Sequence, residues 1–225
     1  MTGNTPDDLH PGLGDTAEPD HPPSGLTAEA ALRRLLSGND RFARGWTRFA
    51  GVPQEMLTNL AKGQQPYATI LGCSDSRVPP ELIFDALPGE LFVVRVAGNV
   101  VSPEVGGSLQ YAGAHLKTPL FVVLGHEGCG AVQAALGSRD DGVQHRSRIQ
   151  LLVDSIVPGL DGVARDLPEE TQLSAAVEAN VRWSVRQILA TPEAQARLAE
   201  GRMKLVGAVY ELRSGRVRLL PDPAA

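Results

Sequence analysis

Cysteine is nearly absent: the 225-residue chain has two, Cys73 and Cys129. Two thiols in a chain this long do not make a disulfide framework. In a reducing compartment they are free, catalytic or metal-bound. Charge of one sign is never concentrated. The 21 basic and 26 acidic residues leave a net charge of −5 with no polybasic block, which speaks against nucleic acid as a main partner and against an electrostatic membrane anchor. No apolar run approaches the roughly 18 residues that would span a bilayer. The N-terminus, MTGNTPDDLHPGLGDTAEPDHPPSG, lacks the basic start and apolar core of a secretory signal. These absences lead to the expectation of a cytoplasmic protein that engages neither nucleic acid nor membrane. Familiar catalytic loops are missing as well. There is no G-x-S-x-G elbow and no Walker A segment, and GHEGCG is not a G-x-G-x-x-G fingerprint. Cys73 and Arg77 stand closer together than a phosphatase loop requires.

What is present is an ordinary globular composition, 42 % apolar and 21 % charged, in a length that suits one domain with a substantial core. Residues 1–25 are rich in Pro, Gly, Asp and Thr and are expected to form a disordered or draped arm, with His10 and His21 solvated. From Leu26 the pattern turns helical. Thr27 can cap, Glu29 sits in the first turn, and Ala31, Leu32, Leu35, Leu36 and Phe42 form a stripe. This predicts a helix over about 27–46, weakened at Ser37-Gly38-Asn39, and a second short helix near 53–62.

Short apolar runs at 67–72, 91–96, 120–124 and 204–210 read as strands, the first three covered on both faces. Helical segments at 80–84, 105–115 and 129–136 alternate with them. The alternation predicts a single α/β domain: a central, mostly parallel sheet flanked by helices, with an N-terminal helical arm. KLVGAVYELRSGRVRLL reads as a C-terminal antiparallel hairpin turning at Ser214-Gly215. Residues 137–168 are expected to be a surface loop with a helical portion. A long helix over about 172–190 should follow, with Val177, Val181 and Ile188 turned inward.

Cys73 lies in ILGCSDSRVPPE, where a predicted strand stops. His126 and Cys129 lie in LGHEGCGAV, just past another. Ligand sites of open α/β sheets form at the carboxyl ends of strands, so if the two strands are neighbours these residues share one edge. Two thiolates and an imidazole form a soft, tetrahedral-favouring set suited to zinc. Gly128 and Gly130 would let the turn bend toward one ion. Three protein ligands leave one position open, as catalytic zinc sites do. The competing reading is a buried free cysteine and an unrelated strand-end cysteine; a bare H-x-x-C does not decide between them. Asp75 and Arg77 favour a site, since a carboxylate and a guanidinium beside a strand-end thiol are not core material. As an exposed ion pair they would contribute little.

CSDSRVPPE, FVVRVAGNVV from Phe92, and GSLQYAGAHLKTPLFVVLGHEGCGAV together, in this order, resemble the β-class carbonic anhydrases. The resemblance runs from about Thr27 to Leu220 and implies that residues 26–225 are one zinc-dependent catalytic domain. It implies reversible hydration of carbon dioxide to bicarbonate and a proton, with hydroxide on one Zn2+ per chain as nucleophile. The metal ligands would be Cys73, His126 and Cys129. Asp75 would orient the nucleophile and Arg77 would keep Asp75 ionised and aimed.

One subtype of the family closes its site with a bicarbonate pocket whose tryptophan precedes the first cysteine by three residues. This chain has Ile70 there, although Arg95 and Tyr111 match other residues of that pocket. The open subtype is therefore expected. In that subtype Gln64, Phe92 and Tyr111 would line the substrate pocket across a dimer interface, with Gly130 offering its backbone N–H. The implied partners are CO2 or bicarbonate and a second copy of the chain, as a dimer or a dimer-based oligomer. Two alternatives keep the same scaffold: a hydrolase of COS or CS2, and a non-catalytic zinc-binding protein.

Overall fold

A computed structural model describes residues 25–48 and 52–221. Apart from Gly25, the predicted arm with His10 and His21 lies outside the described residues. Five strands form one sheet in the order β2-β1-β3-β4-β5. They are β1 (Ala68–Gly72), β2 (Leu91–Arg95), β3 (Leu120–His126), β4 (Lys204–Tyr210) and β5 (Val217–Leu219). The first four run parallel, and β5 turns back antiparallel on β4, pairing Tyr210 with Val217. The single α/β domain, the mostly parallel sheet and the final hairpin are those expected. The continuous apolar runs of β1 and β3 explain their central place: every residue of both strands is buried. β2, expected like them to be covered on both faces, instead closes one edge and is only half-buried.

The helices are α1 (Ala28–Ala43), α2 (Gln54–Leu60), α3 (Pro80–Ile83), α4 (Pro103–Ala114), α5 (Gly130–Asp141), α6 (Arg148–Ile156), α7 (Glu169–Leu189) and α8 (Pro192–Ala199). Thr27 caps α1, accepting from the Ala30 N–H at 3.2 Å. The polar break at Ser37-Gly38-Asn39 does not interrupt the helix. It is where α1 docks. A Cβ on Gly38 would overlap the Phe84 carbonyl oxygen, so only glycine allows the approach. Buried Asn39 donates to the Ile83 and Gly215 carbonyls at 3.2 and 2.8 Å and accepts from the Val217 N–H at 2.8 Å. Asp85, also buried, takes a left-handed backbone (φ +46°) and accepts from Arg41 Nε and the Arg48 N–H. One glycine and two polar side chains thus tie the N-terminal helix to α3 and to the hairpin.

Two further expectations are corrected. Residues 137–168 are not mainly a surface loop. α5 runs on to Asp141, α6 and a 3-10 turn follow, and Val153, Ile156 and Leu160 are fully buried. The Gly, Asp and Arg content of this stretch masked its apolar spacing. The strand expected at 120–124 continues through Gly125 to His126, because β4 supplies partners that far, His126 opposite Tyr210. α7 covers this end of the sheet, with Val177, Val181 and Ile188 buried as predicted. It comes close because Gly125 and Gly207 have no side chains: a Cβ on either would press into Val181.

Candidate metal centre

β1 and β3 are adjacent, with Gly72 level with Leu124. Cys73 therefore leaves β1 beside the last residues of β3. His126 ends β3. Gly128 turns the chain in a left-handed conformation (φ +61°), and Cys129 stands at the N-cap of α5. The positive end of that helix favours a thiolate there. The topology thus brings together the three residues proposed from sequence. Cys73, His126 and Cys129 are 5 %, 1 % and 2 % exposed. Their candidate ligand atoms all lie within 4.8 Å of one another.

The donor set fits a tetrahedral metal. The two sulfurs are 4.0 Å apart, and a zinc ion bound at its usual sulfur distance would hold two sulfurs about 3.8 Å apart. His126 Nδ1 faces the Glu127 carbonyl at 2.9 Å. That contact places the ring proton on Nδ1 and leaves the Nε2 lone pair for a ligand. Nε2 is buried and has no hydrogen-bond partner; buried polar atoms are rarely left in that condition. The hydrogen bond from Cys129 lowers the pKa of Cys73, helped by the Gly98 amide and opposed by burial. The same bond, with burial, raises that of Cys129. A divalent cation held by both sulfurs would displace their protons.

Asp75 and Arg77 form a bidentate pair beside this cluster, Nε to Oδ1 at 2.9 Å and a terminal nitrogen to Oδ2 at 2.7 Å. The Arg77 N–H also donates to Oδ1, and the guanidinium reaches the Gly128 carbonyl. The hydrogen bonds from Arg77 hold the Asp75 carboxyl well below the usual carboxylate range, against the opposing effect of burial. Asp75 Oδ2 is 4.0 Å from His126 Nε2, so the ionised carboxylate borders the ligand cluster.

Arg95 closes β2 opposite Gly72 and donates to the Cys73 and Asp75 carbonyls at 2.9 and 2.6 Å. Sequence reasoning connected Arg95 only with the bicarbonate pocket of another subtype. The available signal was a charge ending an apolar strand at the same sheet edge as Cys73. Ile70, at the tryptophan position of that subtype, is fully buried in β1.

Of the expected substrate residues, Gln64 lies at the opposite end of β1 from this cluster within one chain. Gln64 lines a cleft of about 790 Å3 with Met56, Lys62 and Pro88, at the entrance of β1. Cys73 is at the exit, and six strand-like residues from Tyr67 span about 20 Å. Phe92 and Tyr111 touch each other, with ring centroids 6.0 Å apart. Tyr111 is 46 % exposed and borders a groove of about 630 Å3 between α4 and α8. Gly130, the first residue of α5, adjoins Cys129.

Residues 68–217 match the carbonic anhydrase family model. Carbonic anhydrase 2 of Mycobacterium tuberculosis is 38 % identical over 196 residues, covering 84 % of this chain and 91 % of that protein. The β-carbonic anhydrase of Coccomyxa, solved in complex with acetazolamide, superposes with a TM-score of 0.68 at 32 % identity, over 84 % of this chain and 86 % of that one. Tetrameric β-carbonic anhydrases from Sordaria macrospora superpose with a TM-score of 0.66 at 26 % identity, over 85 % of this chain and 97 % of theirs. A cysteine–histidine–cysteine cluster at the carboxyl edge of a parallel sheet, with these likenesses over most of its length, makes the chain a carbonic anhydrase of the β class.

Proposed function

We propose that the chain catalyses reversible hydration of CO2 to bicarbonate and a proton, with one Zn2+ held by Cys73, His126 and Cys129. The observation that carries this reading is the unpaired, buried Nε2 of His126, in a cluster whose candidate ligand atoms lie within 4.8 Å of one another, and 4.0 Å from the Asp75 carboxylate. Zinc bound there would supply Lewis acidity, lowering the pKa of water toward neutrality.

The protein's own groups complete the reaction. Asp75, kept ionised by Arg77, can only accept a hydrogen bond. A water or hydroxide next to it must direct its proton at Oδ2 and so presents a lone pair elsewhere. With Arg77 holding both oxygens, Asp75 is not free to take up a ligand position, and this supports the open arrangement of the site. The Gly130 N–H, at the positive end of α5, suits a developing bicarbonate oxygen.

We propose further that Gln64, Phe92 and Tyr111 serve the site of a second copy. Gln64 stands too far from its own Cys73 to reach substrate there. β2, a half-buried edge strand, has no partner on its outer side among the described residues. The tetrameric relatives support self-association. No helix among the described residues is long and apolar enough to cross a membrane. A reducing compartment such as the cytoplasm suits the free thiols.

Metal analysis tests the ligand set. Purified protein is expected to carry about one zinc per chain, and Cys129→Ser to carry much less after brief dialysis against a chelator. Equal retention by the variant would remove Cys129 from the set.

A further inference from the structure

Behind Cys73 lies a second layer of buried polar groups that the hydration chemistry does not use. After β2 the chain makes a 3-10 turn, Ala97–Asn99, in which two successive residues are left-handed: Gly98 at φ +68° and Asn99 at φ +46°. Asn99 is one of the few non-glycine residues that tolerate this conformation. Gly98 is confined as well, since a Cβ there would press on Ile156 and Ala131. A backbone so strained persists only where its surroundings hold it. Its amide has a specific target: the Gly98 N–H donates to Cys73 Sγ at 3.3 Å.

The hold comes from α7. Asn180 Nδ2 donates to the Gly98 carbonyl at 2.8 Å. Ser184, one helical turn on, donates from Oγ to the Asn99 carbonyl at 2.9 Å and faces Asn99 Nδ2 at 3.4 Å. Asn99, Asn180 and Ser184 are 1 %, 1 % and 0 % exposed. The Oδ1 of Asn180 is buried with no hydrogen-bond partner. An amide buried with one end unsatisfied costs free energy that an apolar residue would avoid, so the end that is used, on Gly98, is the reason for its presence.

We propose that Asn180 and Ser184 are positioning residues for the metal centre, which fix the 97–99 turn so that the Gly98 N–H stays on the Cys73 sulfur and sets that ligand's donor strength. The inference rests on the metal-binding reading above. An N–H on a thiolate withdraws charge from it and fixes its direction. Outer-sphere hydrogen bonds of this kind tune the metal and help retain it. Loss of the clamp should leave the three ligands in place but make Cys73 a more basic, less directed donor.

The test uses the full chain loaded with Co(II), whose sulfur-to-metal charge-transfer band reports the thiolates directly, together with the rate of metal loss to a chelator. Asn180→Ala and the milder Ser184→Ala are expected to move the band to lower energy, because the sulfur lone pairs rise when the N–H is withdrawn. Both should release metal about tenfold faster or more. Val185→Ala, on the same helix but packed toward Gly207 of β4, is the control. It should lower the melting temperature while leaving band and release rate unchanged. Clamp variants with the wild-type band, or release rates that merely follow melting temperature as in Val185→Ala, would overturn the clamp alone. A wild-type chain that binds neither cobalt nor zinc would overturn the metal reading and the clamp with it.

Discussion

If Asp75 orients the nucleophile, it does so through what Arg77 denies it. Both carboxylate oxygens are occupied by the guanidinium. The group is held ionised, and its free lone pairs on Oδ2 are all it can offer a neighbour. Asp75→Asn keeps the size but adds a donor and removes the charge that the dyad depends on. The variant is expected to retain its metal while CO2 hydration falls by at least about tenfold, in line with the contribution of positioned groups in other enzymes. Unchanged turnover in a fully metallated variant would show that the dyad has another role. At this scale the sequence pointed to the cysteine–histidine–cysteine cluster and to the ion pair beside it, because residue types and order carry that information. It did not disclose Gly98, Asn180 or Ser184. Gly98 acts through a backbone amide, which no side chain announces, and the two α7 residues lie more than eighty positions from it. Arg95 was visible as a charge but not as a brace, since its acceptors are main-chain carbonyls.

Among the elements, α1 shows how a local weakness becomes a contact. Ser37-Gly38-Asn39 lowers helix propensity, yet the helix runs through it because Gly38 meets the Phe84 carbonyl and Asn39 is satisfied by α3 and the hairpin. By propensity alone, Gly38→Ala would gain about 1 kcal/mol. Overpacking costs about 1–3 kcal/mol, and a backbone carbonyl cannot rotate away as a side chain can. We therefore expect the upper end of that cost and a net loss of about 2 kcal/mol, seen as a lower denaturation midpoint with unchanged slope. A variant as stable as the parent would mean that α1 does not dock here. β1 and β3 were legible because buried parallel strands are written as unbroken apolar runs. The 137–168 segment was not, because α6 buries Val153 and Ile156 while its Ile149 and Leu151 stay exposed, so its apolar residues mark no single inward face. α8, eight residues beginning at Pro192, follows α7 almost without a break, leaving little to mark it in the sequence.

The whole molecule joins these scales through sheet topology. Placing β1 beside β3 sends two distant cysteine motifs to one edge. Placing β2 outermost leaves an apolar edge with Phe92 and Tyr111 beside it. If the second copy supplies Gln64, then Gln64→Ala should reduce kcat/KM for CO2 hydration several-fold with metal content and oligomeric state unchanged. An undiminished value would detach that residue from the site. The central claim, metal-dependent hydration of CO2 by the Cys73–His126–Cys129 centre, is met most directly by a stopped-flow hydration assay on one preparation before metal removal, after removal by chelation, and after zinc is restored. The account predicts rapid hydration, its loss with the metal, and recovery in proportion to zinc bound. Full hydration activity in the metal-free protein would contradict it.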